Sequence, residues 1–254
     1  MDQRMMEIFL DVQGDLPRQG PGDDASTLRA LSLCDGLPEA PRVLDIGCGP
    51  GAQTIALANA LPDAAITAVD THAPYLDRLK ARADDDADRI TTQVADMTAL
   101  PLAPASFDLL WCEGAAYIMG IDAALRAWRP LLKPGGCLAL TELVWLTEAP
   151  PTDAAAFFAE EYPAMRGAEA VAALFEDAGY APRGHFTLPD SAWWDQYYTP
   201  LAARLPEMER KYAGDEMAQA IIEMTRKEIA VREKFVASYG YEFYVARKSS
   251  SQAV

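Results

Sequence analysis

The chain has 254 residues, half of them hydrophobic, with 22 basic against 38 acidic side chains and a formal charge of −16. That composition is globular, and the length suffices to bury a core without disulfide or metal staples. The acid excess excludes a nucleic-acid partner, whose phosphates need a basic footprint, and docking on an anionic membrane surface.

The first forty residues carry no strand pattern, and Pro17 to Asp23 is too punctuated by Gly and Pro to be a regular element. A segment capping the rest is expected over 1–40. Strands are then predicted at 42–46, 65–70, 90–95, 107–111 and 137–143. Between them, helices are predicted at 52–61, 74–83 and 121–132. Pro62 stops the first, Pro74 suits the first turn of the second, and Pro130 shortens the end of the third. Lys133-Pro134-Gly135-Gly136 then ends that helix. Continuous apolar strands alternating with helices predict a parallel sheet covered on both faces.

After Leu146 the pattern changes. Residues 147–152 read as a connector, 168–178 as a helix ended by Gly179, and 183–188 as a sixth strand. Residues 191–239 are mostly helical in pattern, with Asp190-Ser191 able to cap the start. Glu223/Lys227 and Glu228/Arg232 are spaced as i,i+4 ion pairs. Ile222, Ile229 and Val236 recur every seven residues, a stripe that must pack on something, within the chain or in a homodimer. A final strand is predicted at 241–248 and a disordered tail at 249–254. The four cysteines lack zinc spacing, so no metal site is expected. Neither a secretory leader nor a run of about 18 apolar residues is expected, which places the protein in the cytoplasm.

Most informative is Val43-Leu44-Asp45-Ile46-Gly47-Cys48-Gly49-Pro50-Gly51, a strand running into a glycine turn and a helix. Gly47 and Gly49 let the backbone approach a ligand with no Cβ in the way. Asp70 ends the next strand, where a carboxylate can accept ribose hydroxyls. The loop also fits the dinucleotide pattern, but Asp45 would repel a pyrophosphate and favour a cationic or zwitterionic ligand.

The motif Asp45-Ile46-Gly47-Cys48-Gly49-Pro50-Gly51 resembles the first motif of class I S-adenosylmethionine-dependent methyltransferases. Asp70, Ala95-Asp96-Met97, Ser106-Phe107-Asp108-Leu109-Leu110-Trp111 and Leu132-Lys133-Pro134-Gly135-Gly136 resemble their later motifs in order. Arg18-Gln19-Gly20-Pro21-Gly22, Glu113-Gly114-Ala115-Ala116-Tyr117 and Tyr239-Gly240-Tyr241 resemble a bacterial small-molecule subfamily near the ubiquinone/menaquinone-biosynthesis type. The resemblance implies an α/β, Rossmann-like, doubly wound sheet of seven strands, the last antiparallel. It implies a single domain: cap 1–40, cofactor-binding core 41–188, helical insert or lid 189–239 and final strand 240–248.

It also implies roles. Gly47 and Gly49 would pass under the methionine part of S-adenosylmethionine, with Asp45 near its amino group. Asp70 would bind the ribose, with Thr71 and His72 flanking the adenosine. Asp96 would accept from the adenine amine and Met97 pack on the ring. Arg18, Gln19 and Gly20 would fold over the cofactor, and Glu113 and Gly114 would face the transfer zone. Transfer from an activated sulfonium needs proximity above all, with a base for some acceptors. Glu113, Tyr117, Glu142 and His185 are the candidate bases. Trp193, Trp194, Tyr197 and Tyr198, joined by Tyr117 and Trp145, would line the acceptor pocket. The implied function is methyl transfer to a small molecule. The alternatives are a nicotinamide-dependent oxidoreductase, a cofactor-binding module without transfer, and a protein methyltransferase.

Overall fold

The computed structural model describes residues 3–249. Helices α1 (Gln3–Gln13) and α2 (Asp24–Ser32) precede β1 (Arg42–Ile46). Then follow α3 (Ala52–Ala60), β2 (Ala65–Asp70), α4 (Ala73–Ala83), β3 (Ile90–Val94), β4 (Phe107–Cys112), α5 (Ile121–Trp128) and β5 (Leu132–Trp145). The second half runs α6 (Thr152–Glu161), β6 (Arg166–Gly167), α7 (Ala168–Asp177), β7 (Tyr180–Thr187), α8 (Ser191–Trp193), α9 (Thr199–Lys211), α10 (Glu216–Phe235) and β8 (Tyr239–Lys248).

The strands lie in the order β3-β2-β1-β4-β5-β8-β7, with the two-residue β6 beside the end of β5. Pairs among β1 to β5 are parallel, and β8 runs antiparallel between β5 and β7. This is the expected doubly wound sheet with an antiparallel last strand, β6 being an addition. Alternation along the strands divides the core. Val43, Ile66, Leu109 and Ala139 meet Leu57, Leu76 and Leu79 of α3 and α4 on one face. Leu44, Leu110, Leu138 and Leu140 meet Leu125, Trp128 and Phe175 of α5 and α7 on the other. Both faces are covered, so each strand can be apolar throughout.

A third core forms at one end of the sheet. Ile8 and Val12 of α1, Phe157 and Phe158 of α6, Trp193 of α8, Leu201 and Leu205 of α9, and Ile222 of α10 pack together there. Trp194–Tyr198 forms a π-helical turn between α8 and α9, and both Tyr197 and Tyr198 point inward from it. One extra residue in a turn lets two consecutive rings reach the same core.

Several expectations change. The helix predicted over 121–132 stops at Trp128, because Pro130 withdraws a donor and leaves a 3₁₀ turn, Arg129–Leu131. Leu132 already pairs with Phe107, so Lys133 to Gly136 belong to β5 and break its register instead of ending a helix. Helices α1, α2 and α6 were not predicted. Asp190 does not cap its helix through its side chain. Neither i,i+4 pair forms. Lys227 reaches Glu160, Glu228 accepts from the Tyr198 hydroxyl, and Arg232 turns to Asp190. Ile222 and Ile229 find partners in the third core, while Val236 lies past the end of α10, exposed. Ser249, expected in the disordered tail, donates its N–H to the Gly179 carbonyl; the rest of that tail lies outside the described residues.

Arg232 fastens the insert. Its buried guanidinium donates to Asp190 at 2.7 Å and to the Tyr239 carbonyl at 2.8 Å, and lies over the Trp193 ring. Arg232→Ala removes all three contacts and strands a buried carbonyl. The expected loss is about 2–4 kcal/mol in urea unfolding, with faster proteolysis within α9 and α10 than elsewhere.

Candidate active site

The carboxyl ends of β1, β2 and β4 open into a cavity of about 560 Å³, at the point where strand order reverses. The glycine loop forms its floor. Gly47 holds φ +70°, and a Cβ there would lie 2.6 Å from the Ala115 Cβ. Gly51 holds φ +87°, and a Cβ there would overlap Leu79. Both positions therefore require glycine. Asp70 clamps the loop: its Oδ2 accepts the Gly49 N–H at 2.9 Å, and its Oδ1 accepts the His72 N–H at 2.9 Å. Each oxygen keeps a lone pair for a ligand hydroxyl.

The segment before α2 closes the cavity from above. Arg18 is 4% exposed, and all three of its guanidinium nitrogens are engaged. It donates to Glu113 at 2.8 Å, to Asp24 at 2.9 Å and to Gln196 at 3.2 Å. Glu113 also accepts from the Thr27 hydroxyl at 2.7 Å and the Trp111 indole at 2.9 Å. Gln19 accepts from the Tyr75 hydroxyl at 2.7 Å, whereas its Nε2 is buried with no partner. An orphaned donor costs about 1–3 kcal/mol unless a ligand accepts from it.

The cavity brings together Arg18, Gln19, Gly20, Gly47, Gly49, Asp70, Thr71, His72, Met97, Glu113, Gly114 and Tyr117, as expected from the sequence. It does not include Asp45. That carboxylate is wholly buried beneath the loop, accepting from Thr54 at 2.6 Å and Gln53 at 3.4 Å. Burial, followed by the charges of Glu113 and Asp70, pushes it up to about 7. It reaches the cavity through Gln53, which does line it. Asp96 also stays outside. It is exposed and caps its own turn through the Thr98 N–H and hydroxyl, which hold it below the usual carboxylate range. Its neighbours Ala95 and Met97 face the cavity instead.

The expected acceptor residues Trp145, Trp193, Trp194, Tyr197 and Tyr198 do not line the cavity either. They pack on one another and on Phe158 and Tyr239 in the third core, because clustered rings bury more area among themselves than as a lid. His185 sits on β7 at the sheet edge, its Nδ1 2.6 Å from Glu242 and its ring stacked on Tyr244. It is a structural histidine, remote from the cavity. The sequence reading overlooked Met6, Phe9 and Leu10 of α1, together with Gln53, Tyr75 and Ile118. The spacing of Met6, Phe9 and Leu10 was a readable signal, an i, i+3, i+4 face.

Residues 43–136 match the model of a family described as the methyltransferase domain. Over that stretch the chain is similar to methyltransferase domains. It is 35% identical over 126 residues to malonyl-[acyl-carrier protein] O-methyltransferase of Dechloromonas aromatica, a match covering 48% of this chain and 45% of that one. The chain thus spans about half the length of the curated relatives it matches. Among solved structures it resembles a SAM-dependent methyltransferase from Geobacter sulfurreducens in complex with S-adenosyl-L-homocysteine. There the TM-score is 0.77 and the identity 21%, covering 96% of this chain and 98% of that one. It also resembles the [4+2]-cyclase SpnF, with a TM-score of 0.75 and 21% identity over 97% and 93% of the two chains. These likenesses establish the methyltransferase fold.

Behind the cavity, Glu142 on β5 accepts from the Tyr162 hydroxyl at 2.7 Å and leaves its Oε2 buried without a partner. Burial pushes this carboxyl up to about 7. A carboxyl raised on folding keeps its proton in the native state where the unfolded chain has lost it. Stability is therefore fully present at acid pH and falls as pH rises from about 4.5 to about 7. Glu142→Gln removes that loss. The variant should melt a few degrees above wild type at pH 8 and show a shallower fall in Tm between pH 5 and pH 8. An unchanged slope in calorimetry refutes the assignment.

Proposed function

We propose that the protein transfers the methyl group of S-adenosylmethionine to a small-molecule acceptor. The observation that carries this reading is the Asp70 clamp on the glycine loop, in a cavity that Gln19, with its unpartnered Nε2, also lines. The residues present fit the cofactor. Asp70 offers two carboxylate oxygens to vicinal hydroxyls, and Gln19 Nε2 offers a donor to a carboxylate. Gly47 and Gly49 admit a close approach, and Thr71, His72 and Met97 suit the nucleoside. Three carboxylates, Asp45, Asp70 and Glu113, act on one another there, a field that favours a ligand with cationic groups.

When bound, S-adenosylmethionine supplies a methyl group already activated on a positively charged sulfur. The protein then has to position an acceptor and exclude water. The Arg18 strap closes the polar half from solvent. Glu113 already accepts from three donors and holds the strap, which makes it a poor proton acceptor. Tyr117, named among the candidate bases, also lines the cavity, but burial raises its hydroxyl above the ordinary tyrosine range, so it stays protonated and orients an acceptor instead. A cavity of about 560 Å³ suits a cofactor and a small acceptor. Four free, buried cysteines suit the reducing cytoplasm, and no described helix is long and apolar enough to cross a membrane.

A second reading keeps the cofactor and drops the transfer, since one neighbour of this fold is named as a cyclase. Calorimetric titration with S-adenosylhomocysteine tests the shared part. Wild type should bind, and Asp70→Ala should bind at least about tenfold more weakly, having lost two acceptor oxygens and the loop clamp. No binding by wild type sinks both readings. Incubation with methyl-labelled S-adenosylmethionine and a small-metabolite extract separates them. Labelled small-molecule product supports transfer, whereas binding without product supports the second reading.

A further inference from the structure

Helix α1 has two apolar faces. Ile8 and Val12 enter the third core, while Met6, Phe9 and Leu10 line the cavity. A surface helix ordinarily carries one apolar stripe. Across the cavity stand Tyr117 and Ile118, on the 3₁₀ turn Ala116–Ile118. Met6, Phe9, Tyr117 and Ile118 are all exposed, from 36% for Phe9 to 64% for Ile118. They gather at one mouth, continuous with the polar half at Gly114 and Ala115. Exposed apolar side chains concentrated in this way mark a binding surface.

The charges around this half point the same way. Among the described lining residues, the fixed positive charge is Arg18, and its three guanidinium nitrogens are spent on Glu113, Asp24 and Gln196. A carboxylate or phosphate seated here would lose its hydration with no free cation in the lining to receive it.

We propose that the methyl acceptor is an uncharged, lipophilic small molecule whose apolar body lies between α1 and the 116–118 turn. This rests on the methyl-transfer reading of the site. Its reactive atom then meets the polar half at Gly114. Apolar contact with Met6, Phe9 and Ile118 supplies the affinity, and the lack of a free cation in the lining disfavours anionic analogues.

Titration of the protein saturated with S-adenosylhomocysteine tests the proposal, using 1-naphthol and 1-naphthoate at pH 7 as probes of one ring body and two charges. Naphthol should bind at least about tenfold more tightly than naphthoate. Phe9→Ser and Ile118→Ser change exposed side chains, so both should fold. Each should weaken naphthol about fivefold or more while leaving S-adenosylhomocysteine affinity within about twofold of wild type. Naphthoate binding as tightly as naphthol, no detectable naphthol binding, or unchanged affinity in both variants overturns the acceptor class. Failure of S-adenosylhomocysteine itself to bind overturns the underlying function instead.

Discussion

The buried ion pair between Arg18 and Glu113 is the contact on which the site depends. Glu113 stands just past β4, and Arg18 comes from a segment with no regular structure. Through the same guanidinium Arg18 also holds Asp24 at the start of α2 and Gln196 in the π-helical turn. Four separate stretches of chain thereby meet at one charge. A buried guanidinium and carboxylate are costly to desolvate and repay it only with well-satisfied geometry. Here Glu113 accepts three hydrogen bonds and Arg18 donates three, which meets that condition. The pair gives specificity of arrangement: it fixes where the strap crosses the cavity, just past the end of α1.

Three of the 38 acidic residues gather at the site. Asp45, Asp70 and Glu113 crowd the carboxyl ends of β1, β2 and β4, and the protein divides their work. Asp70 holds the loop and faces the cavity. Glu113 is neutralised by Arg18. Asp45, sealed beneath the loop with Thr54 and Gln53, is raised by burial and by the other two. A ligand bearing positive charge relieves this crowding, which couples the composition of the chain to the chemistry proposed for it. Asp96, although an acid in the same region, uses its Oδ1 to cap its own turn at Thr98.

The insert contributes in a different way from a lid. Its rings close a third core with α1 and α6, and that core presses the apolar back of α1 into place. The front of the same helix is thus left facing the cavity. The late helices shape the acceptor space indirectly, by supporting the helix that lines it. Arg232, reaching from α10 to Asp190 and the Tyr239 carbonyl, ties this support to β8.

The strands, their alternation with helices and the glycine loop were legible in the sequence because they rest on local rules. Apolar runs alternate with helical periods, glycines stand where the backbone must turn, and Asp70 ends a strand. Twelve of the expected site residues lie on or beside those local features and do line the cavity. The misplaced ones share a physical cause. Asp45, Asp96, His185 and the aromatic run 193–198 are of the right chemical type, but strand alternation, a local turn or a competing core decides which way each side chain points. Those choices depend on residues outside each local pattern: Thr54, on the next helix, for Asp45, and, far away in the chain, Glu242 for His185 and Phe158 and Tyr239 for the rings. The two apolar faces of α1 were written in its spacing. Which one met a core and which met open space was decided only when the insert, nearly two hundred residues later, packed against it.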